Sequence, residues 1–309
     1  MVGKFKDSWV ASLTLFSEDG ALDGTALASH FVRLAAAGQN IYAASTNIGE
    51  GFSMTDDEVH RVLSIAVKAT KNRVGIRAGG REARSAAEAL AMVKLAEDAG
   101  VEAVHVFQLD VGHASSKPDV RELEHYYYSI LDQSELPVVL SNYPKMGYSV
   151  PLDLVSRLTD RYQQVIGLRD TSGDAAYFSE AVARFSGRLE LSSVGPRFML
   201  NSLFLGADAV MTTEANVAPG LVSDVLRAFQ CGDFATLTSS FANLVSLHLL
   251  LSRYGGSGGR GMKPLLHALG MPAGPLRPPR QPISYEETQS LIEAVRLLDL
   301  PELRAASAM

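Results

Sequence analysis

Val165-Ile166-Gly167-Leu168-Arg169-Asp170-Thr171-Ser172-Gly173-Asp174 is a short apolar run that breaks into a polar turn. Residues 165–168 have the length of a buried strand and are too few for a helix. Thr171, Ser172, Gly173 and Asp174 supply turn chemistry, with hydroxyl and carboxylate groups that satisfy backbone amides and a glycine that accepts a left-handed conformation. Arg169 stands at the junction. Its guanidinium stays protonated at any working pH and does not act as an imine-forming amine. At a buried strand end it needs an anion, either a ligand carboxylate or phosphate gripped in bidentate fashion or an acidic side chain of the chain itself.

The same strand-then-turn pattern recurs on both sides of this stretch. Strand-like runs fall at 10–15, 41–44, 74–78, 101–107, 136–140, 165–168, 189–192 and 207–211, with helical patterns between them. Asp23 caps a helix that stops at Gly38. Thr55-Asp56-Asp57-Glu58 forms a capping box before the helix 59–70, and Ser85-Ala86-Ala87-Glu88 forms another before a helix that stops at Gly100. Strands that alternate with helices pair in parallel, because a parallel connection needs a long crossover. Eight such units in the first 230 or so residues predict an α/β fold, a (β/α)8 TIM barrel. The competing open sheet calls for a glycine-rich phosphate turn after the first strand, where this chain has Phe16-Ser17-Glu18-Asp19-Gly20. Beyond Cys231 the pattern turns helical (234–254, 262–269 and 285–297), interrupted by a glycine-rich loop at 255–261. The expected organisation is a barrel over 1–232 and a C-terminal helical appendage over 233–309 within the same domain.

Composition narrows the partners. The 309 residues are 47% hydrophobic and carry a net charge of −6, ample for a large core. There is no basic run, so nucleic acid is not an expected partner. The N-terminus lacks an apolar signal core, and the best apolar stretch, 244–251, is short and contains Ser246 and His248, so no membrane span is expected. The single cysteine, Cys231, agrees with a reducing cytoplasm.

In a barrel of this kind the site lies at the carboxyl ends of the strands. That rule selects Asn47, Asp110, His113, Ser141 and Arg169 as candidates for chemistry, and Asn142, Gly195 and Met211, the last residue of the eighth run, as candidates for substrate contact. Several strand-end residues have a plainer explanation: Ser45, Thr212, Thr213, Asp170 and Asp174 read as turn and cap residues. His105 falls within a strand and reads as a packed core residue. His113 is either an acid/base or a solvated loop histidine. Asp110, His113 and Asn142 match no metal-ligand template, so neither a metal nor another cofactor is expected.

The motifs also carry a family resemblance. Residues 165–174 resemble the "G-[IL]-K-[DE]-x-[ST]-G-D" segment of the dihydrodipicolinate synthase / N-acetylneuraminate lyase family. Residues 47–58 resemble its "G-T-T-G-E-x-x-x-L-[ST]-x-x-E", Leu140-Ser141-Asn142-Tyr143-Pro144 its "[LI]-Y-N-x-P", and Ala215-Asn216-Val217-Ala218-Pro219 its "x-N-[VI]-x-P". Gly79 matches its third-strand "A-G" turn, and Gly270 with Arg277-Pro278 its C-terminal "G...R-x-P". The resemblance covers nearly the whole chain and implies the barrel and a homo-oligomer, a dimer or a tetramer built from dimers. It also locates departures. The family's Schiff-base lysine corresponds to Arg169, its proton-relaying tyrosine to Ser141, its paired threonines to Asn47 and Ile48, and its "P-Y-Y" to Gln108-Leu109-Asp110. The resemblance also implies a backbone carboxylate cradle, with Ile48 and Gly49 as candidates for substrate contact, since backbone N–H groups do not depend on side-chain identity. The expected function is a lyase-family protein acting on a small oxo or hydroxy acid without a Schiff base. The alternatives are a non-catalytic carboxylate-binding barrel and an aldolase that uses another lysine, with Lys145 placed ahead of Lys263.

Overall fold

The computed structural model describes residues 7–112, 117–255, 259–300 and 302–303. Eight strands, β1 (Asp7–Ala11), β2 (Asn40–Ala43), β3 (Ile76–Ala78), β4 (Ala103–Phe107), β5 (Val138–Asn142), β6 (Val165–Asp170), β7 (Glu190–Val194) and β8 (Ala209–Thr212), form a closed barrel in sequence order. Helices α1 (Gly24–Ala36), α2 (Asp56–Thr70), α3 (Ala86–Asp98), α4 (Val120–Leu131), α5 (Leu152–Arg161), α6 (Ala175–Phe185), α7 (Pro196–Leu205) and α8 (Pro219–Cys231) follow the strands. Three C-terminal helices complete the fold: α9 (Phe234–Arg253), α10 (Met262–Ala268) and α11 (Tyr285–Arg296). This is the (β/α)8 barrel with a helical appendage that the alternating pattern predicts.

The helix starts follow local chemistry. The Asp23 carboxylate accepts from the amides of Thr25 and Ala26, and Thr55 with Glu58 completes a reciprocal capping box. At α3 the box is displaced by one residue. Ser85 accepts from the Glu88 amide, but the Glu88 carboxylate reaches the amide of Arg84, at 2.8 Å. The polar strand ends differ from the sequence reading. β6 runs on through Arg169 and Asp170, and β5 through Ser141 and Asn142, because the ladder pairs Ser141 with Arg169 and Asn142 with Asp170. β1 differs in the opposite sense and ends at Ala11. Residues 12–15 stay buried, but the chain is already turning toward the antiparallel bridge of Phe16 with Leu22.

Contacts group into two compact units. The first holds Arg77–Met211, and with it β4 to β7 and α3 to α7. Inside it, Arg77 grips Glu190 with two bonds of 2.7 and 2.9 Å and reaches Glu102 at 3.2 Å. The second unit holds Ser8–Ile76 and the chain from Thr212 on. Asn216 ties it together. Its Oδ1 accepts from the Leu13 amide and faces His30 Nε2 at 3.0 Å, while its Nδ2 donates to the carbonyls of Ala11 and Thr213. The Glu302 carboxylate caps the α8 amides of Gly220 and Leu221. α9 packs a face of Leu237, Leu244, Leu247 and Leu251 and leaves Phe234 and Leu249 exposed. The apolar helix is longer than the stretch 244–251: its 20 residues are long and apolar enough, by length and composition alone, to cross a membrane.

Candidate functional site

In the first unit, Arg169 is the penultimate residue of β6, with only 5% of its surface exposed. The ladder puts Phe107, Ser141, Arg169 and Ser192 at one register across four adjacent strands, so their side chains stand on the same side of the sheet. The guanidinium carbon lies 5.0 Å from the centre of the Phe107 ring, and Nη1 approaches the Met211 sulfur at 3.6 Å. The Phe107 ring in turn meets the edge of Tyr143 at 5.7 Å and 83°. A cation over an aromatic face is held by the ring quadrupole.

Ser141 is fully buried, and its Oγ lies 3.5 Å from Nδ1 of His105. Burial first, and then the positive charges of Arg169 and Arg77, hold His105 well below the usual histidine range, so the imidazole is neutral. The core reading of His105 holds for its burial but misses its neighbours. Only the tertiary structure brings Ser141, Arg169 and Arg77 into its environment.

Asn142 and Asp170 are committed to the frame. Asn142 Nδ2 donates to Asp170 Oδ1 at 2.7 Å, and its Oδ1 accepts from the Val150 amide at 2.9 Å. Asp170 also accepts from the amide and hydroxyl of Ser172, and burial raises its carboxyl above the ordinary aspartate value. Asp174 caps α6. Gln108 braces the turn after β5, donating to the carbonyls of Tyr143 and Tyr148 and accepting from the Tyr143 amide. Asp110 sits half-buried after β4 and accepts from the Gly112 amide at 2.7 Å. Gly195 precedes α7 with φ +87°, a conformation that suits glycine, and donates to the Met211 carbonyl. His113 lies outside the described residues. Lys145, in a short turn over Pro144–Met146, is exposed.

In the second unit, the turn after β2 carries Asn47, Ile48 and Gly49. Ala44 and Glu50 both have left-handed backbones, with φ near 55° (56° and 54°). A side chain on Gly49 would meet the Ser45 backbone at 2.7 Å, and one on Gly51 would meet the Ala44 carbonyl at 2.8 Å. The Gly49 amide donates to Ser45 Oγ at 3.1 Å, which gives Ser45 the turn role read from the sequence. Glu50 is buried against Lys263 of α10 (Nζ to Oε1, 2.5 Å), so Lys263 is an interior residue. Glu214, after β8, accepts from the Thr213 amide and pairs with His248 of α9 at 2.8 Å. Among the described residues, no group of three or more His, Cys, Asp or Glu side chains is arranged to hold a metal.

The profile of the dihydrodipicolinate synthetase family matches residues 4–297. A 4-hydroxy-tetrahydrodipicolinate synthase of Methanopyrus kandleri is 27% identical over 296 residues, covering 94% of this chain and 96% of that protein. The enzyme of the same name from Hyphomonas neptunium is 30% identical over 248 residues, with 79% and 82% covered. Among solved structures, the chloride-inhibited dihydrodipicolinate synthase of Acinetobacter baumannii, complexed with pyruvate, superposes with a TM-score of 0.84. It is 25% identical, with 96% of this chain and 100% of that one covered. A barrel closed in sequence order and a match spanning nearly the whole chain agree: the protein belongs to the dihydrodipicolinate synthetase family.

Proposed function

We propose that this protein is a lyase that acts on a small 2-oxo or 2-hydroxy acid without a Schiff base, with Arg169 as the cation that holds the substrate carboxylate or a developing enolate. The observation that carries the reading is the buried guanidinium at the end of β6, stacked on Phe107 and set against Met211. A fixed cation in a water-poor site stabilises negative charge that develops in a transition state, and its own orientation changes little as it does so. The family resemblance sets a reactive lysine at the same place, and an arginine there keeps the positive charge while giving up the nucleophile.

In this reading Arg169 binds the carboxylate. Removal of a proton from carbon 3 of a 2-oxo acid then leaves an enolate, whose charge the guanidinium offsets. Ser141, at the same register and one strand away, contacts the oxygen on carbon 2, and Asp110 in the loop after β4 takes the proton. Aldol cleavage, hydration and dehydration all pass through such a stabilised anion. The pyruvate named with the Acinetobacter baumannii relative makes pyruvate the first acid to test. Lys145 supports no imine-based alternative, since an exposed amine is not desolvated for attack. A binding protein without turnover is the second reading, favoured by the way Asn142 and Asp170 are locked into the frame.

The test is incubation with pyruvate and borohydride, followed by intact-mass analysis, together with hydrogen–deuterium exchange at the pyruvate methyl group followed by NMR. The proposal expects no mass increment and a protein-dependent exchange that Arg169→Ala abolishes. A trapped adduct, or undiminished exchange in Arg169→Ala, overturns it. Binding of the acid without exchange, or without turnover of any acid in a broad panel, selects the second reading.

A further inference from the structure

The turn after β2 is held from an unexpected direction. Glu50 has no solvent exposure, and both of its carboxylate oxygens are engaged by the C-terminal part of the chain. Oε1 accepts from Lys263 Nζ at 2.5 Å, and Oε2 from the Arg277 amide at 3.1 Å. Lys263, only 1% exposed, also donates to the Pro275 carbonyl at 2.9 Å and lies 4.8 Å from the Phe16 ring centre. The Arg277 guanidinium covers the same ring at 4.2 Å. It donates to the carbonyls of Gly20 and Ser53, and it grips both oxygens of Glu58 at 2.7 and 2.8 Å. Two cations from the C-terminal segment thus fasten both ends of one short turn and the first turn of α2.

A buried ion pair is a poor device for stability alone, because desolvation offsets its attraction and apolar replacements often do as well. Its geometry, however, is exacting. Here that geometry is imposed on a residue with a left-handed backbone, next to two glycines that admit no side chain. We infer that Lys263 and Glu50 are a positioning pair: they set the backbone of residues 47–51 in the form in which Ile48 and Gly49 present their amides to a ligand carboxylate. The inference rests on the proposed binding of a small carboxylic acid and on the backbone cradle that the family resemblance implies at that turn, but the pair itself can be tested without a ligand. Neither residue touches substrate. The pair acts on the turn through Glu50; the Gly49 amide donates to Ser45 Oγ, a bond that a ligand carboxylate would have to replace.

The experiment measures amide hydrogen exchange of the full chain in wild type, Lys263→Met and the double variant Glu50→Gln/Lys263→Met, alongside NMR titration with pyruvate. The double variant guards against simple misfolding, because it removes both charges and fills the site with neutral groups. The inference expects exchange in residues 45–53 to speed up at least tenfold in the double variant while β4 to β7 keep wild-type protection, and the Kd for pyruvate to rise by a similar factor. Unchanged exchange in 45–53 overturns the positioning role. So does faster exchange with an unchanged Kd, which separates the turn from ligand binding. If wild type binds no pyruvate, the substrate reading fails and the inference about carboxylate presentation falls with it, while the exchange data still report whether the pair holds the turn.

Discussion

Arg169 is the residue on which the proposed chemistry turns, and its environment makes a sharp test possible. Arg169→Lys puts a primary amine on β6 at a site that is already 95% buried from solvent, since only 5% of the arginine is exposed. Burial lowers the pKa of an amine and makes it nucleophilic. The expected outcome is a borohydride-trapped pyruvate adduct in Arg169→Lys and none in wild type, read by intact mass; a variant that stays unmodified counts against the alignment of Arg169 with the family's lysine. His30 yields a second prediction at this scale. Burial first, and then the charge of Arg33, lower it from 6.5 to about 3, and it faces Asn216 Oδ1 as a neutral ring. Its folded pKa is below its unfolded one, so between pH 6.5 and about 3 the unfolded chain binds the extra proton. The stability that the neutral ring provides is present above pH 6.5 and is lost as pH falls through that window, by several kcal/mol at the acid end. Urea melts from pH 7 to pH 4 should show this loss, and His30→Asn should flatten the slope. A slope unchanged by the substitution removes His30 as its source.

At the scale of elements, the strands and turns approach closely enough for single methyl groups to matter. A side chain at Gly80, after β3, would lie 1.9 Å from the carbonyl oxygen of His105 in β4, and backbone cannot yield as a side-chain tip can. Gly80→Ala should therefore destabilise the protein by more than about 2 kcal/mol. Gly24→Ala, where a side chain would meet only Ile65 Cδ1 at 3.5 Å, serves as the comparison in denaturant melts, and equal effects from the two would refute the backbone argument. The capping chemistry is gentler: Thr55→Ala removes one half of the capping box of α2 and should cost about 1 kcal/mol. The sequence showed these caps because they are local, with donor and acceptor three residues apart. It did not show the displacement at α3, where Glu88 reaches Arg84 instead of Ser85.

At the scale of the whole molecule, charge is buried inside the barrel strands as well as at their ends. Arg77 of β3 is held by two hydrogen bonds to Glu190 and one to Glu102. Arg77→Met strands the largely buried Glu190 carboxylate and should cost about 3–5 kcal/mol, while Arg77→Met/Glu190→Leu should recover much of that loss. A double variant as unstable as the single one would show that the pair's worth lies elsewhere than in mutual compensation. The exposed Phe234 and Leu249 on α9 bear on assembly. The expected homo-oligomer, dimer or tetramer, is checked by sedimentation velocity across a hundredfold range of concentration, and a single monomeric species throughout would exclude it.

By itself the sequence determined the order and kind of the elements. Periodicity, caps and turn glycines act within a few residues, and eight alternating strand–helix units leave a parallel barrel as the arrangement that closes. It also marked Arg169, since a cation ending a short apolar run is conspicuous in one dimension. Asp170 and Asp174 were legible as caps for the same local reason. What only the tertiary structure decided are the pairings between residues far apart in sequence. Ser141 meets His105 across 36 positions, Arg169 meets Met211 across 42, and Lys263 meets Glu50 across 213. The sequence ranked Lys263 only behind Lys145 and offered it no partner, since no acidic residue lies between Asp233 and Glu286. Its partner arrives only when α10 and the turn after β2 fold into one unit, and a buried charge is tolerable only where such a partner is in place.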